Sequence, residues 1–140
     1  MNKKGPVLII DDDEDDRELI GEVFKKLGYE NEIKYFPDGK KALDYLLSAS
    51  ELSFLILSDI NMPIMGGLEL KENIDSNHTL RQRNIPFVFF TTATTTKAIT
   101  EAFAHTDQGF FIKPSTFSGL EISVKKILDY WSDCVTPNNY

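Results

Sequence analysis

Phe54–Gly67 reads FLILSDINMPIMGG, and this stretch decides the fold. Phe54–Leu57 is a short apolar run, the kind that forms a strand buried on both faces of a parallel sheet. It stops abruptly at Ser58 and Asp59, then breaks into a loop holding Asn61, Pro63, Gly66 and Gly67. Open α/β sheets bind ligands at the C-terminal ends of their strands, so Asp59 stands where chemistry is expected. For an isolated strand-end Asp, a helix cap or turn residue is the more ordinary reading. The rest of the chain must therefore supply partners for this one carboxylate.

Working outward, Val7–Ile10 is a second buried strand and runs straight into Asp11-Asp12. Asp15 and Glu18 resemble a capping pair for a helix reaching about Leu27, with Leu19, Ile20, Val23, Phe24 and Leu27 on one face and Gly28 as its stop. Glu32–Phe36 reads as a strand near a sheet edge, and Asp38 caps a helix carrying Ala42, Leu43, Leu46 and Leu47. Beyond the central strand, Gly67 opens a helix to about Asp75, and the polar run DSNHTLRQRN (75–84) reads as a surface connection. Phe87–Phe90 is a strand running into Thr91 and Thr92; a weaker helix follows over about Thr96–Thr106. Phe110–Ile112 is the fifth strand and ends in Lys113-Pro114. Ser115 or Thr116 caps a last helix with Leu120, Val124, Ile127, Leu128 and Trp131 as its buried stripe, and 132–140 reads as a loose tail after a core of about 6–131.

At 140 residues the chain is expected to be one domain. A net charge of −7 with no basic stripe argues against nucleic-acid binding. Within Asp11–Asp16, the residues Glu14, Asp15 and Asp16 read as a solvated helix start. A single Cys134 excludes an internal disulfide, and no apolar stretch suits a signal peptide or a membrane span, so a cytoplasmic protein is expected.

Five apolar strands alternating with five helical patterns call for a doubly wound parallel sheet with every C-terminal strand end on one rim. Four of those ends carry Asp11-Asp12, Asp59, Thr91 and Lys113. Three carboxylates drawn together repel one another, and one lysine cannot balance them. A small hard cation can, and an all-oxygen donor set suits Mg²⁺ better than zinc. With a metal bound, a carboxylate such as Asp59 can attack phosphorus, while an ammonium and a hydroxyl steady the phosphoryl oxygens.

The residues Asp11-Asp12 after LII, Asp59 in LILSDINMP, Thr91 in PFVFFTT and Lys113-Pro114 in GFFIKP occur together and in order. In this the chain resembles, over essentially its whole length, the receiver domain of two-component response regulators. That resemblance implies a chemotaxis-regulator fold with strand order 2-1-3-4-5 and five helices. It implies that Asp59 is the phosphoacceptor and that Asp12, Asp59 and the Asn61 carbonyl ligate Mg²⁺ (Mn²⁺ as a substitute), with Asp11 acting mostly through water. Thr91 would be the switch hydroxyl, Lys113 the phosphoryl contact, and Lys113–Pro114 a cis peptide. The donor would be a sensor histidine kinase or a histidine phosphotransfer protein. A downstream protein would read the face made by the fourth helix, fifth strand and fifth helix, with no nucleic-acid or membrane contact and with self-association left open.

Three departures from the family pattern stand out. The switch aromatic, often Tyr, is Phe110, so switching must use ring burial alone. Gly66 replaces a frequent acidic residue, and the small Ala93 is expected to leave the phosphoryl group open to water. The strongest rival is a haloacid-dehalogenase-type phosphatase, with Asp11 as nucleophile and Asp13 as acid. A degenerate receiver that only binds a partner is the second rival. His78, His105 and Cys134 are expected to take no part in the chemistry.

Overall fold

The computed structural model describes residues 1–92, 96–105 and 109–135. The elements in chain order are β1 (Val7–Ile10), α1 (Glu14–Lys26), β2 (Ile33–Phe36), α2 (Gly39–Ser48), β3 (Leu55–Ser58), α3 (Gly67–Ser76), α4 (His78–Gln82), β4 (Phe87–Thr91), α5 (Thr96–His105), β5 (Phe110–Ile112) and α6 (Phe117–Asp133). All four strand pairs are parallel, in the order β2-β1-β3-β4-β5.

Period-two alternation along the central strands divides the core into two layers. Val7 and Ile9, Leu55 and Leu57, and Val88 and Phe90 face α1 and α6, where Ile20, Val23, Phe24, Leu120, Val124, Ile127 and Leu128 meet them. Leu8, Ile10, Ile56, Phe87 and Phe89 face the other way, onto Ala42, Leu46, Leu70 and Leu80. Because both faces are covered, β1, β3 and β4 are apolar at consecutive positions. The edge strands β2 and β5 are only partly buried. Among the described residues no helix is long and apolar enough to cross a membrane.

Local chemistry sets the helix ends. Asp13, and not Asp15, caps α1, its Oδ1 accepting the N–H groups of Asp15 (2.9 Å) and Asp16 (3.3 Å). Gly28 follows the end of α1 at φ 79°, a conformation that costs glycine little. Asp38 caps α2 and Thr116 caps α6.

Three further expectations are corrected. The helices number six, because α4 lies inside the polar connection: Asn77 caps it by accepting the Leu80 N–H at 3.0 Å, and Leu80 is buried in the second layer. Among the described residues, packing and helix reach past both expected limits, while 136–140 of the expected tail lie outside the described residues. Met1 is 7% exposed and packs in the first layer, α6 runs to Asp133, and Lys3 Nζ donates to the Ser132 carbonyl at 2.6 Å. Finally, no cis peptide occurs among the described residues, so the Lys113–Pro114 bond is trans. A trans X–Pro bond is favoured by about 0.5–1 kcal/mol unless tertiary contacts reverse it. Here Lys113 continues the β5 ladder and its side chain reaches the rim with the bond trans.

Candidate functional site

The sheet ladder itself places the candidate residues. Asp11 N donates to Phe36 O (3.0 Å), Asp59 N to Ile10 O (2.9 Å) and Lys113 N to Thr91 O (2.6 Å). Each candidate backbone is thus held by a rung at or just past the C-terminal end of its strand. The Ile10–Ser58 pair brings Asp11 and Asp59 side by side as the next step along β1 and β3. Gly67 closes the floor beneath them; a Cβ there would run into the Asp59 carbonyl oxygen.

On this frame the side chains converge. Asp59 is 8% exposed; its Oδ1 accepts the Ile60 N–H at 2.7 Å and the Thr91 hydroxyl, and its Oδ2 accepts from Lys113 Nζ at 3.3 Å. Ser58 Oγ donates to the Asp59 carbonyl at 2.8 Å. Asp11 Oδ1 accepts the Asp13 N–H at 2.9 Å, Asp11 Oδ2 pairs with Lys113 Nζ, and Arg17 donates to the Asp11 carbonyl at 2.6 Å. Lys113 also donates to Asp16 Oδ2 at 3.1 Å.

The charges are unequal. Burial pushes the Asp11 carboxyl above the ordinary carboxylate range, against the pull of Lys113, and the nearby Asp59 pushes the same way. Burial alone would lower the Lys113 ammonium, but its bonds to Asp11 and Asp16 and the charge of Asp59 outweigh that and hold it above the usual lysine value. Lys113 is therefore a permanent cation. Carboxylate oxygens of Asp11, Asp12 and Asp59 lie within 4.8 Å of one another, two of these residues buried and Asp12 exposed. An all-carboxylate set with one side open to water fits a hard divalent ion such as Mg²⁺ or Mn²⁺. Asn61 is exposed two residues past Asp59, in the loop between β3 and α3.

The structure thus brings together Asp11, Asp12, Asp59, Thr91 and Lys113. Phe110 sits further back on β5, half-buried, with its ring 6.2 Å from that of Phe89 and stacked on that of Phe103 at 6.5 Å. Ala93 lies outside the described residues, and the side chain of His105 is likewise not described. His78 is exposed on α4. Asp16 escaped the sequence reading, where it passed as part of a solvated helix start. Its signal was spacing: it follows the Asp13 cap by three residues, in the first turn of a helix that starts at the rim.

The family model for the response regulator receiver domain matches residues 7–125. The chain belongs to the response regulator receiver family. It is 32% identical over 129 residues to the probable methanogenesis regulatory protein FilR2 of Methanothrix harundinacea, covering 89% of this chain and 82% of that one. It is 30% identical to the chemotaxis protein CheY-3 of Vibrio cholerae, covering 92% and 95%. Among solved structures it is similar to the phosphorylated cyanobacterial phytochrome response regulator RcpA (TM-score 0.82, 28% identity, 94% of this chain and 96% of that one). It is also similar to the Mn²⁺-bound form of response regulator Rcp1 (TM-score 0.78, 26% identity, the same coverage). As a receiver domain the chain is a component of two-component signalling, in which receivers take phosphate from histidine kinases and signal to downstream targets.

Proposed function

We propose that this receiver accepts a phosphoryl group on Asp59 with a divalent cation held by Asp11, Asp12, Asp59 and the Asn61 carbonyl. The observation that carries the reading is the setting of one carboxylate: Asp59 takes the Thr91 hydroxyl on one oxygen and the Lys113 ammonium on the other, beside Asp11 and Asp12. When bound, Mg²⁺ would offset the charge of the carboxylates and of the transferring phosphoryl group. Mn²⁺ is a fitting substitute, as the Mn²⁺-bound Rcp1 illustrates.

In the transfer an Asp59 oxygen forms a bond to phosphorus as the phosphorus–nitrogen bond of a phosphohistidine breaks. The bonding pair returns to the imidazole nitrogen. Lys113 donates to a phosphoryl oxygen, and Thr91 moves its hydroxyl from Asp59 to another. The donor is a sensor histidine kinase or a histidine phosphotransfer protein. The Thr91 shift frees space into which Phe110 turns, reshaping the α5–β5–α6 face for a protein partner; the chain signals from the cytoplasm by contact or by passing the group on. Asp13 supports this reading over a dehalogenase-type phosphatase, because its carboxylate is occupied as the α1 cap. Incubation with acetyl phosphate and Mg²⁺ followed by intact-mass measurement tests it. A gain of one phosphoryl group is expected, lost in Asp59→Asn and with EDTA; gain in Asp59→Asn equal to the parent would refute it.

A further inference from the structure

We infer that Asp16 is a positioning residue for Lys113 in phosphoryl transfer, an inference that rests on the Asp59 reading above. The Lys113 ammonium has three N–H donors, and three carboxylates accept from it: Asp11, Asp59 and Asp16. The first two belong to the group of oxygens close enough to share a cation; Asp16 does not. When a divalent ion draws on the charge of Asp11 and Asp59, their hold on the ammonium weakens, and Asp16 is the partner that stays. It is also the outermost of the three, with its side chain 32% exposed against 3% for Asp11 and 10% for Asp59. To meet a phosphoryl group on Asp59 the ammonium must stay within reach of Asp59 while loosened from its oxygens, and Asp16 is the partner that can keep it there. Asp16 is itself fixed, because its backbone N–H donates to the Asp13 cap at 3.3 Å in the first turn of α1.

Without Asp16, the long and flexible lysine stem has only inner partners. The ammonium then settles onto Asp11 and Asp59, where it neutralises the nucleophile instead of meeting the incoming oxygens. The Asp16 carboxylate is the exposed member of this pair, at 32% against 5% for Lys113, and removing it leaves the ammonium paired with Asp11 and Asp59, so the effect should appear in rate more than in folding.

The test is a double-mutant cycle on the full chain, read as the rate of phosphoryl gain from acetyl phosphate at saturating Mg²⁺. Asp16→Ala is expected to slow the gain on the order of tenfold, short of the ~100-fold that a 1 Å misplacement of a reacting group costs. In a Lys113→Ala background the same change should add little, since there is no ammonium left to position. Should Asp16→Ala fold poorly, Asp16→Asn enters the same cycle. Equal slowing with and without Lys113, or no slowing at all, overturns the inference. A second readout needs no phosphoryl group: the ¹⁵Nζ signal of Lys113 in cation-free protein should shift and exchange faster in Asp16→Ala. An unchanged signal overturns the hold on Lys113 even if Asp59 is phosphorylated normally. A parent protein that gains no phosphoryl group, with the lysine signal nonetheless shifted, would count against the Asp59 reading alone.

Discussion

Thr91 donates its hydroxyl hydrogen to Asp59 Oδ1, the same oxygen that accepts the Ile60 backbone N–H. Both residues are buried, so the bond is charge-assisted and shielded from water. Thr91→Val keeps the shape and removes the donor. It should cost about 1.5–3 kcal/mol of stability, the usual worth of a hydrogen bond to a charged group, with Thr91→Ser recovering part of it. Urea unfolding of the cation-free protein measures this; a Thr91→Val as stable as the parent would show that the bond contributes nothing.

Asp11, Asp16 and Asp59 share one ammonium and Asp12 lies beside two of them, so the cation-free rim stores like-charge repulsion. Mg²⁺ should raise the melting temperature, with a gain of about 2.7 kcal/mol at a hundredfold excess over its Kd, and EDTA should reverse it. Asp12→Asn should stabilise the cation-free protein while weakening Mg²⁺ binding. The two opposite shifts can be read from melting curves with and without the ion.

The same crowding sets the pH response. A protonated Asp11 cannot ligate, and its carboxyl holds its proton above the ordinary value of ~3.9. Mg²⁺ affinity should be full above the raised value and fall as pH drops through it. For the cation-free fold the sign reverses: the ionised form is the costly one, so this contribution declines as pH rises from the ordinary value through the raised one. Lys113 stabilises fully below the ordinary ~10.4 and loses that only as pH climbs through its own raised value. Calorimetric Mg²⁺ titrations repeated at successively lower pH from neutrality check the first point, with binding expected to weaken as the raised value is crossed.

Gly67 should be intolerant of any side chain. Its Cβ would strike the Asp59 carbonyl oxygen, which cannot move without shifting the end of β3. Gly67→Ala is expected to destabilise by about 1–3 kcal/mol and to weaken Mg²⁺ binding at the same time. Chemical denaturation paired with calorimetry would reveal whether the two losses travel together.

Phe103 is 58% exposed yet its ring stacks on Phe110 at 20°. Phe103→Ala should cost no more than about 1.5 kcal/mol, the upper worth of an aromatic pair. It should nevertheless alter the environment of Phe110, read by ¹⁹F NMR of a fluorinated ring at 110. An unchanged resonance would mean that the stack does not hold Phe110.

The strands were legible because sheets covered on both faces demand consecutive apolar residues, and Val7–Ile10, Leu55–Ser58 and Phe87–Thr91 supply them. Their abrupt polar ends marked the rim, which is why Asp11, Asp59, Thr91 and Lys113 could be gathered from one dimension. Short-range ambiguity hid the rest. In a run of six acidic residues, hydrophobic pattern cannot say which carboxylate caps the helix and which turns inward; the cap at Asp13 decides it, and with it the place of Asp16. Helix α4 has one buried apolar residue, Leu80, too few to show a period. Burial of Met1 depends on contacts from distant parts of the chain, and the Lys113–Pro114 bond keeps the isomer that an X–Pro bond prefers by itself.

Strand β1 pairs with β3 so that Ile10 lies opposite Ser58, and each strand then delivers its aspartate at the following position. Removing a single residue from β3 would therefore do two kinds of damage at once. The side chains of the shortened strand would exchange layers, and Asp59 would leave its place beside Asp11. Affinity for a divalent ion is in consequence a gauge of strand alignment: a chain that has collapsed but mispaired β1 with β3 has no means of gripping the ion, however much of its helix content it has recovered.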